Sequence, residues 1–477
     1  MMDMIQDATT RTAPDAKMRT EGEVMLVLGL GETGLSMVRW FVERKARVRV
    51  ADSRTNPPGL EDAVRLVKRE EIHCGGFEDA LLEDVGMIAI SPGVPLSDPF
   101  VRRAAARGIE IVGDIEIFAR HLAESDSPAR VIAITGSNGK TTVTSMVEFL
   151  GRAAGMDAVA AGNISPAVLD VVMDRKENQP ELWALELSSF QLEATESLKA
   201  DAAVVLNISE DHLDRYADMD EYANAKARIF RGCGIQVLNR DDARCMKMRV
   251  DGKPFITFGL NDPERESDFG IERAGKDIWI KRGNERLIRT SELEIAGLHN
   301  AANAEAALAL CTSVGLPMQD LLVALKKFKG LAHRVEFVAS MNGVSFYDDS
   351  KGTNVGATVA ALEGLGCKSV LIAGGVGKGQ DFSPLKPAVM RHARAVVLMG
   401  QDAPLIGAAL QGCGIEVVKV QGMKEAVQAA ARLARENDAV LLSPACASFD
   451  MFRNYAHRAE VYVEEVRKLI GEGSWLH

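Results

Sequence analysis

The chain predicts an α/β protein of three domains, built mainly on parallel sheets wrapped by helices. Three observations lead there. Short apolar runs alternate with segments of helical spacing along almost the whole length, the pattern of βα units. Glycine-rich or hydroxyl-rich turns stand at the ends of several of those runs. The length of 477 residues is also more than one core holds and suits about three domains.

Hydrophobic content of 47% and charged content of 26% are ordinary for a globular protein. A net charge of -11 argues against a general nucleic-acid or membrane-surface binder, which needs a basic face, so neither partner is expected. Cys74, Cys233, Cys245, Cys311, Cys367, Cys413 and Cys446 are scattered without a Cys-x-x-Cys pair. That pattern points to reduced thiols in a cytoplasmic protein. Residues 1–22 are polar and carry both charge signs, so they read as a flexible tail and not as a signal peptide. No apolar run approaches membrane-spanning length.

The first domain is expected over 23–119. Val24-Met-Leu-Val-Leu28 runs into Gly29-Leu-Gly31-Glu-Thr-Gly34, then a helical pattern, then Ala46-Arg-Val-Arg-Val50 and the acid Asp52. This is the dinucleotide fingerprint of a Rossmann-like sheet. The motif is a weak signal, since any close strand–helix turn wants glycine. Further strands are expected at Met87-Ile-Ala-Ile90, ending in Ser91-Pro92-Gly93, and at Gly108-Ile-Glu-Ile-Val112. Glu32, an acid near a presumed diphosphate, is expected to point away.

The central domain is expected over 120–330. Its key stretch is Val131-Ile-Ala-Ile-Thr135 followed by Gly136-Ser137-Asn138-Gly139-Lys140-Thr141-Thr142 and a helical pattern. Backbone N–H groups of such a turn, together with a helix N-terminus, cradle phosphates. Lys140 would bring a positive charge, and the Thr141 hydroxyl would reach Mg²⁺. Ile134 occupies the place of the first glycine of the usual spacing, so the loop is a shortened phosphate loop. Leu182-Trp-Ala-Leu185 ends in Glu186, placed either as a Mg²⁺ ligand at a strand tip or as a helix N-terminal acid; the metal role is favoured. Ala202-Ala-Val-Val-Leu206 leads toward His212, a loop histidine or a ligand, with its place at a third strand tip favouring contact with metal or phosphate. Lys226 lies on a helical pattern and reads, by sequence physics alone, as a solvated lysine. Asn300 and Asn303 open an alanine-rich helix, Ala304 to Leu310. Asn300 reads as its cap, although two amides there could also meet a purine edge.

The third domain is expected over 331–477. Val344-Ser-Phe-Tyr347 enters Asp348 to Asn354, Ser369-Val-Leu-Ile-Ala373 enters Gly374 to Gly379, and Ala439-Val-Leu-Leu442 enters Ser443 to Asp450. This is a second Rossmann-like sheet whose strand tips suit a polar or anionic small ligand.

With these stretches in order, the chain from about residue 23 resembles the Mur ligase family of peptidoglycan assembly. The resemblance rests on Gly29–Gly34, Ser91–Gly93, Gly113–Glu116, Thr135–Thr141, Gly162–Ile164, Glu186–Gln191, Asn207–Arg215, His299-Asn300, His333-Arg334, Asp349–Asn354 and Ser443–Asp450. It implies an ATP-dependent amide-bond ligase, acting through an acyl phosphate and joining D-glutamate to UDP-N-acetylmuramoyl-L-alanine in peptidoglycan precursor synthesis. It implies a cytoplasmic protein that acts on small molecules, and a monomer is expected. The first sheet would then hold UDP instead of NAD, through Thr33, Asp52, Ser53, Arg54 and Gly93, with Asn163 nearer the reacting end. Gly136 to Thr142, Asn300, Asn303, Arg334 and Asp349 would hold ATP. Thr141 and Glu186 would hold one Mg²⁺, and His212 with Lys226, the latter carbamylated, a second. Thr353, Lys378, Ser448, Phe449 and Tyr455 would receive D-glutamate. Lys140, Glu186, His212, Lys226 and Arg334 would carry the chemistry. The loop Gly374-Gly-Val-Gly377 departs from the family, which often has an acid before the lysine.

Two other classes compete. An NAD-dependent oxidoreductase leaves the phosphate loop unexplained, and a nucleotide-switched binding protein leaves the third domain's strand tips unexplained.

Overall fold

Alternation of buried apolar strands with one-sided helices organises the whole chain. The computed structural model describes residues 24–125, 127–211, 215–275, 277–295 and 297–471. The expected tail at 1–22 and the expected ligand His212 lie outside the described residues. The chain divides into two units, one of residues 1–133, 159–201 and 228–233, the other of 134–158, 202–227 and 234–477.

In the first unit, five parallel strands take the order Ile72–Cys74, Arg47–Asp52, Val24–Leu28, Val85–Ile90, Glu110–Val112. Leu28 lies opposite both Ala51 and Ile90, so the turns after these strands open at one edge. Gly29 takes φ +91°, and a Cβ on Gly34 would sit 1.8 Å from the Gly29 carbonyl oxygen. Glycine is therefore required at both places by local geometry. The helix Glu32–Glu43 buries Leu35, Val38 and Phe41. Glu32 points outward as expected and accepts from the Ser165 hydroxyl at 2.6 Å.

The same unit holds the first residues of Arg130–Thr135, with Leu182–Glu186 and Ala158–Gly162 following in that order. Leu182–Glu186 is buried along its full length, as a strand covered on both faces must be.

The second unit carries the parallel row Phe255–Phe258, Ile235–Asn239, Ala202–Val205. Thr135 accepts from Leu206 N–H at 2.9 Å, which brings the phosphate-loop strand alongside. The helices Lys140–Ala153 and Leu298–Ser313 pack together here. Leu298–Ser313 starts earlier than the sequence indicated. Gly297, with φ +98°, occupies the cap position, so Asn300 lies inside the first turn and is not the cap. An antiparallel meander, Phe269–Ala274, Asp277–Arg282, Glu285–Arg289, precedes it.

The last sheet has the order Glu336–Met341, Val344–Asp348, Ala439–Leu442, Ser369–Ala373, Ala393–Leu398, Glu416–Lys419. Only the first pair is antiparallel. Leu371, Val396, Leu398 and Leu441 face one core, while Val370, Ile372, Val397 and Leu442 face the other, so helices cover both sides. Asp348 and Ile372 both lie opposite Leu442. The loops after these three strands therefore share an edge.

Candidate active site

The strand Arg130–Thr135 ends at the turn that leads into Lys140–Ala153. Gly139 caps that helix at φ +85°, and no side chain caps it, which leaves a first turn of backbone N–H groups suited to an anion. A Cβ at Gly139 would lie 2.7 Å from Asn303 Oδ1, so the loop also needs glycine for space. Lys140 Nζ folds over the loop and donates to the carbonyls of Gly136 and Ser137 at 2.9 and 3.0 Å.

The loop is held from beneath. Ser137 N–H donates to the Asn207 carbonyl at 2.9 Å and Asn138 N–H to Asn207 Oδ1 at 2.8 Å, while Asn207 Nδ2 returns a bond to the Asn138 carbonyl at 3.0 Å. Ser137 Oγ donates to the Ser209 carbonyl at 3.0 Å and stands 3.2 Å from the Tyr222 hydroxyl.

A cavity of about 170 Å³ opens beside the loop. Asn138, Gly139, Thr142, Asn300, Asn303, Arg334 and Asp349 line it, so the structure brings these expected ATP contacts together. Arg334 Nη2 donates to Thr141 Oγ1 at 2.8 Å. Asn303 Nδ2 donates to Asn300 Oδ1 at 3.2 Å. Asp349 takes the Ser443 hydroxyl at 2.6 Å, and burial pushes its carboxyl up to about 7 against that bond and the pull of Arg334.

Glu186 is buried at the tip of Leu182–Glu186. Its Oε1 accepts from Asn163 Nδ2 at 2.9 Å, whereas its Oε2 is buried with no hydrogen-bond partner among the described residues. A buried, unmatched carboxylate oxygen is a costly group, and a divalent cation satisfies it. Lys226 is 2% exposed and not solvated, which corrects the reading from sequence physics. Its Nζ donates to Thr135 Oγ1 at 3.3 Å and lies 4.7 Å from the Tyr222 ring centre. Helix Met219–Ala227 thus turns its lysine toward the end of the phosphate-loop strand.

At the edge of the five-stranded sheet, Ser53 and Gly93 line a cavity of about 350 Å³ with Phe77, Asp98, Phe100 and Arg103. Asp52 is buried and occupied internally, accepting from Leu30 N–H at 2.7 Å and from Arg54 Nε and Nη2 at 2.8 and 2.7 Å. Burial opposes its charge, but these bonds hold the carboxyl below its ordinary value. Asp52 therefore orients Arg54 and the glycine turn; Thr33 lies in the first turn of the helix that follows.

On the last sheet, Thr353, Lys378 and the pair Ser448–Phe449 stand on three loops from neighbouring strands. Ser448 is buried, Lys378 exposed, and Phe449 72% exposed. Tyr455 begins the helix Tyr455–Gly471, and Lys351 Nζ lies 3.7 Å from its ring centre.

Three family models match the chain in succession. Residues 23–113 match "Mur ligase MurD-like, N-terminal domain", 134–311 "Mur ligase middle domain" and 333–446 "Mur ligase, glutamate ligase domain". The UDP-N-acetylmuramoylalanine–D-glutamate ligase of Nitrosospira multiformis is 54% identical over 457 residues, covering 95% of this chain and 97% of that one. The enzyme of the same name from Methylobacillus flagellatus is 55% identical over 445 residues, covering 93% and 97%. This chain belongs to the Mur ligase family. Among solved structures, UDP-N-acetylmuramate–alanine ligase from Thermotoga maritima superposes with a TM-score of 0.57 at 20% identity, over 94% of this chain and 99% of that one. A pseudomurein peptide ligase type C from Methanothermus fervidus gives 0.59 at 18% identity, over 94% and 100%. These likenesses show the three-domain α/β fold of a Mur ligase, in agreement with the fold class read from the sequence.

Several residues beside the cavity and the phosphate loop were given no role from sequence, although Asn207, His299 and Lys351 lie inside motifs of the resemblance. Asn207 and Tyr222 brace the phosphate loop, and Lys351 and His299 line the cavity. Lys351 sits inside the Asp349–Asn354 motif, so its neighbours carried a signal. Tyr222 lies one helical turn before Lys226, a spacing that puts both on one face.

Proposed function

We propose that this Mur ligase is the ATP-dependent, ADP-forming enzyme that joins D-glutamate to UDP-N-acetylmuramoyl-L-alanine during peptidoglycan precursor synthesis. The observation that carries the catalytic part of this reading is the glycine-capped Lys140 turn facing the cavity of Asn300, Asn303, Arg334 and Asp349. The substrate assignment rests on relatives at 50–55% identity over nearly the whole chain, which bear the D-glutamate ligase name.

A carboxylate does not accept an amine directly, because its oxygen leaves poorly and its carbon is electron-rich. Transfer of the ATP γ-phosphoryl group to the substrate's L-alanyl carboxylate gives an acyl phosphate and ADP. The D-glutamate amine then attacks the acyl carbon, forming the C–N bond of a tetrahedral intermediate, which loses a proton from nitrogen and expels phosphate to leave the amide. The first step needs positioning and charge neutralisation more than covalent help. In this reading Lys140 and the Gly136–Thr142 backbone orient the phosphates, and Arg334 balances negative charge at the transferred group. Asn300, Asn303 and Asp349 hold the nucleoside end.

The donor set fits Mg²⁺. Thr141 and Glu186 offer hard oxygens, and the unmatched Glu186 Oε2 supports a cation there. In this reading they hold one ion, and His212 with Lys226 as its carbamate holds a second. Bound magnesium would supply charge neutralisation on the phosphates. The burial of Lys226 supports the carbamate, which would make it an anionic ligand. Thr33, Asp52, Ser53, Arg54 and Gly93 take the uridine diphosphate end and Asn163 the muramoyl end, while Thr353, Lys378, Ser448, Phe449 and Tyr455 take D-glutamate. The proposed domains are 23–119, 120–330 and 331–477.

Among the described residues no helix is long and apolar enough to cross a membrane. We place the enzyme in the cytoplasm, acting as a monomer on its small-molecule substrates. The test is ADP release with UDP-N-acetylmuramoyl-L-alanine and D-glutamate, compared with L-glutamate, L-lysine and diaminopimelate. Release that does not depend on D-glutamate would overturn the assignment.

A further inference from the structure

We propose that Arg458 is a positioning residue that ties the loop facing the nucleotide to the loop facing the amino acid. The inference deepens the ligase reading above and rests on its assignment of the two loops.

Arg458 stands in the first turn of the helix Tyr455–Gly471 and is 1% exposed. Arginine is rarely so deep, because taking a guanidinium out of water is costly unless every donor finds a partner. Its Nε donates to Ser350 Oγ at 3.0 Å, its Nη2 to the Ser350 carbonyl at 2.8 Å and its Nη1 to the Cys446 carbonyl at 3.1 Å. All three acceptors are neutral oxygens, so the guanidinium acts here as a rigid fork and not as half of an ion pair.

The two ends of that fork belong to different ligand loops. Ser350 lies between Asp349 and Lys351, both of which line the nucleotide cavity. Its N–H donates to Asp348 Oδ1 at 2.9 Å and its hydroxyl to the Tyr455 carbonyl at 2.8 Å, so the turn is fixed on every side. Cys446 lies two residues before Ser448. The backbone around it crosses to the first loop, Ala445 N–H donating to the Gly352 carbonyl at 2.9 Å. It also pairs Ala447 with Val376 in the loop that carries Lys378. Ala445 holds φ +57°, a conformation that a non-glycine residue keeps only when its surroundings impose it. Removing the fork frees the carbonyls of both loops at once.

A purely architectural arginine would make a different prediction, namely a loss of stability with all substrates affected alike. The experiment compares Arg458→Lys and Ser350→Ala with the wild type. It measures KM for ATP, D-glutamate and UDP-N-acetylmuramoyl-L-alanine, ADP affinity by calorimetry, and folding by circular dichroism. Lysine keeps the charge but cannot span both loops. The expected result is a rise of about tenfold in the KM values for ATP and D-glutamate together, with weaker ADP binding and an unchanged KM for the sugar nucleotide. Ser350→Ala, which removes the hydroxyl that Arg458 Nε meets but leaves the Ser350 carbonyl on Nη2, should show the same paired rise at a smaller size and decides the matter if Arg458→Lys does not fold. Folded variants whose ADP affinity is unchanged, or in which all three KM values rise alike, would overturn the proposal. A wild type without D-glutamate-dependent ADP release would sink the substrate reading alone, because the ADP affinities still test the fork.

Discussion

Arg334 and Thr141, far apart in sequence, are joined by a hydrogen bond of 2.8 Å from the guanidinium to the threonine hydroxyl. The bond places a permanent positive charge at the first turn of the helix Lys140–Ala153, next to the hydroxyl proposed to hold magnesium. Arg334→Ala should therefore cut kcat for ADP release by about 100- to 1,000-fold, the usual cost of losing one donor aimed at developing charge. Steady-state kinetics of the purified variant measures this, and a loss confined to KM would contradict a role in the transferring step.

Lys140 is the second charge at the same turn. Its substitution by alanine removes the ammonium but leaves the glycines and helix N-terminus in place. ADP release should fall by at least about 1,000-fold while the melting temperature changes little. Near-normal turnover would remove Lys140 from the mechanism.

Lys226→Ala should be nearly inactive and partly rescued by added short carboxylic acids, which supply the missing oxygens. Lys226→Arg should stay inactive with or without them, since arginine forms no such carbamate. Absence of rescue at any acid concentration would count against carbamylation.

Glu186→Gln keeps the shape of the side chain and loses its charge. The magnesium concentration needed for half-maximal ADP release should rise at least about tenfold. A magnesium titration of activity, compared with the wild type, reads this directly, and a coincident titration curve would exclude Glu186 as a ligand.

Asp349 gives a pH-dependent signature. Burial raises its carboxyl to about 7 in the folded protein from 3.8. Between those values the unfolded chain is ionised while the folded one keeps its proton, so this group's contribution is full below about pH 4 and is lost as the pH rises to about 7. Asp349→Asn removes that loss. The stability of the variant relative to wild type should climb across this window by on the order of 4 kcal/mol and level off above it. Urea melts at several pH values would reveal a flat difference if the carboxyl were not buried as described.

Much of this site could be read along the chain. The strand, turn and helix around Lys140 were legible because an apolar run, obligatory glycines and a helical stripe each speak locally. So were the strand tips at Glu186, Asp349 and Ser443. What escaped depends on packing. Lys226 read as a surface lysine because only the placement of Met219–Ala227 against Thr135 buries it. Asn300 read as a cap because asparagine favours that role, yet the positive φ of Gly297 starts the helix earlier. The strands Phe269–Ala274 and Glu285–Arg289 carry so many charges that alternation was hidden. Arg458 offered no sign at all, since an arginine on a helix is ordinarily solvated.

The fold of Lys140 over the carbonyls of Gly136 and Ser137 means that the cradle is shaped by its own chain before any phosphate enters. On the proposed reading, a triphosphate would draw the Lys140 side chain off these oxygens, while the bonds from Asn207 already hold the loop. In the proposed ligase, nucleotide capture should accordingly be fast, with a small entropic penalty, and the slow steps of turnover should lie in assembling the remaining substrates.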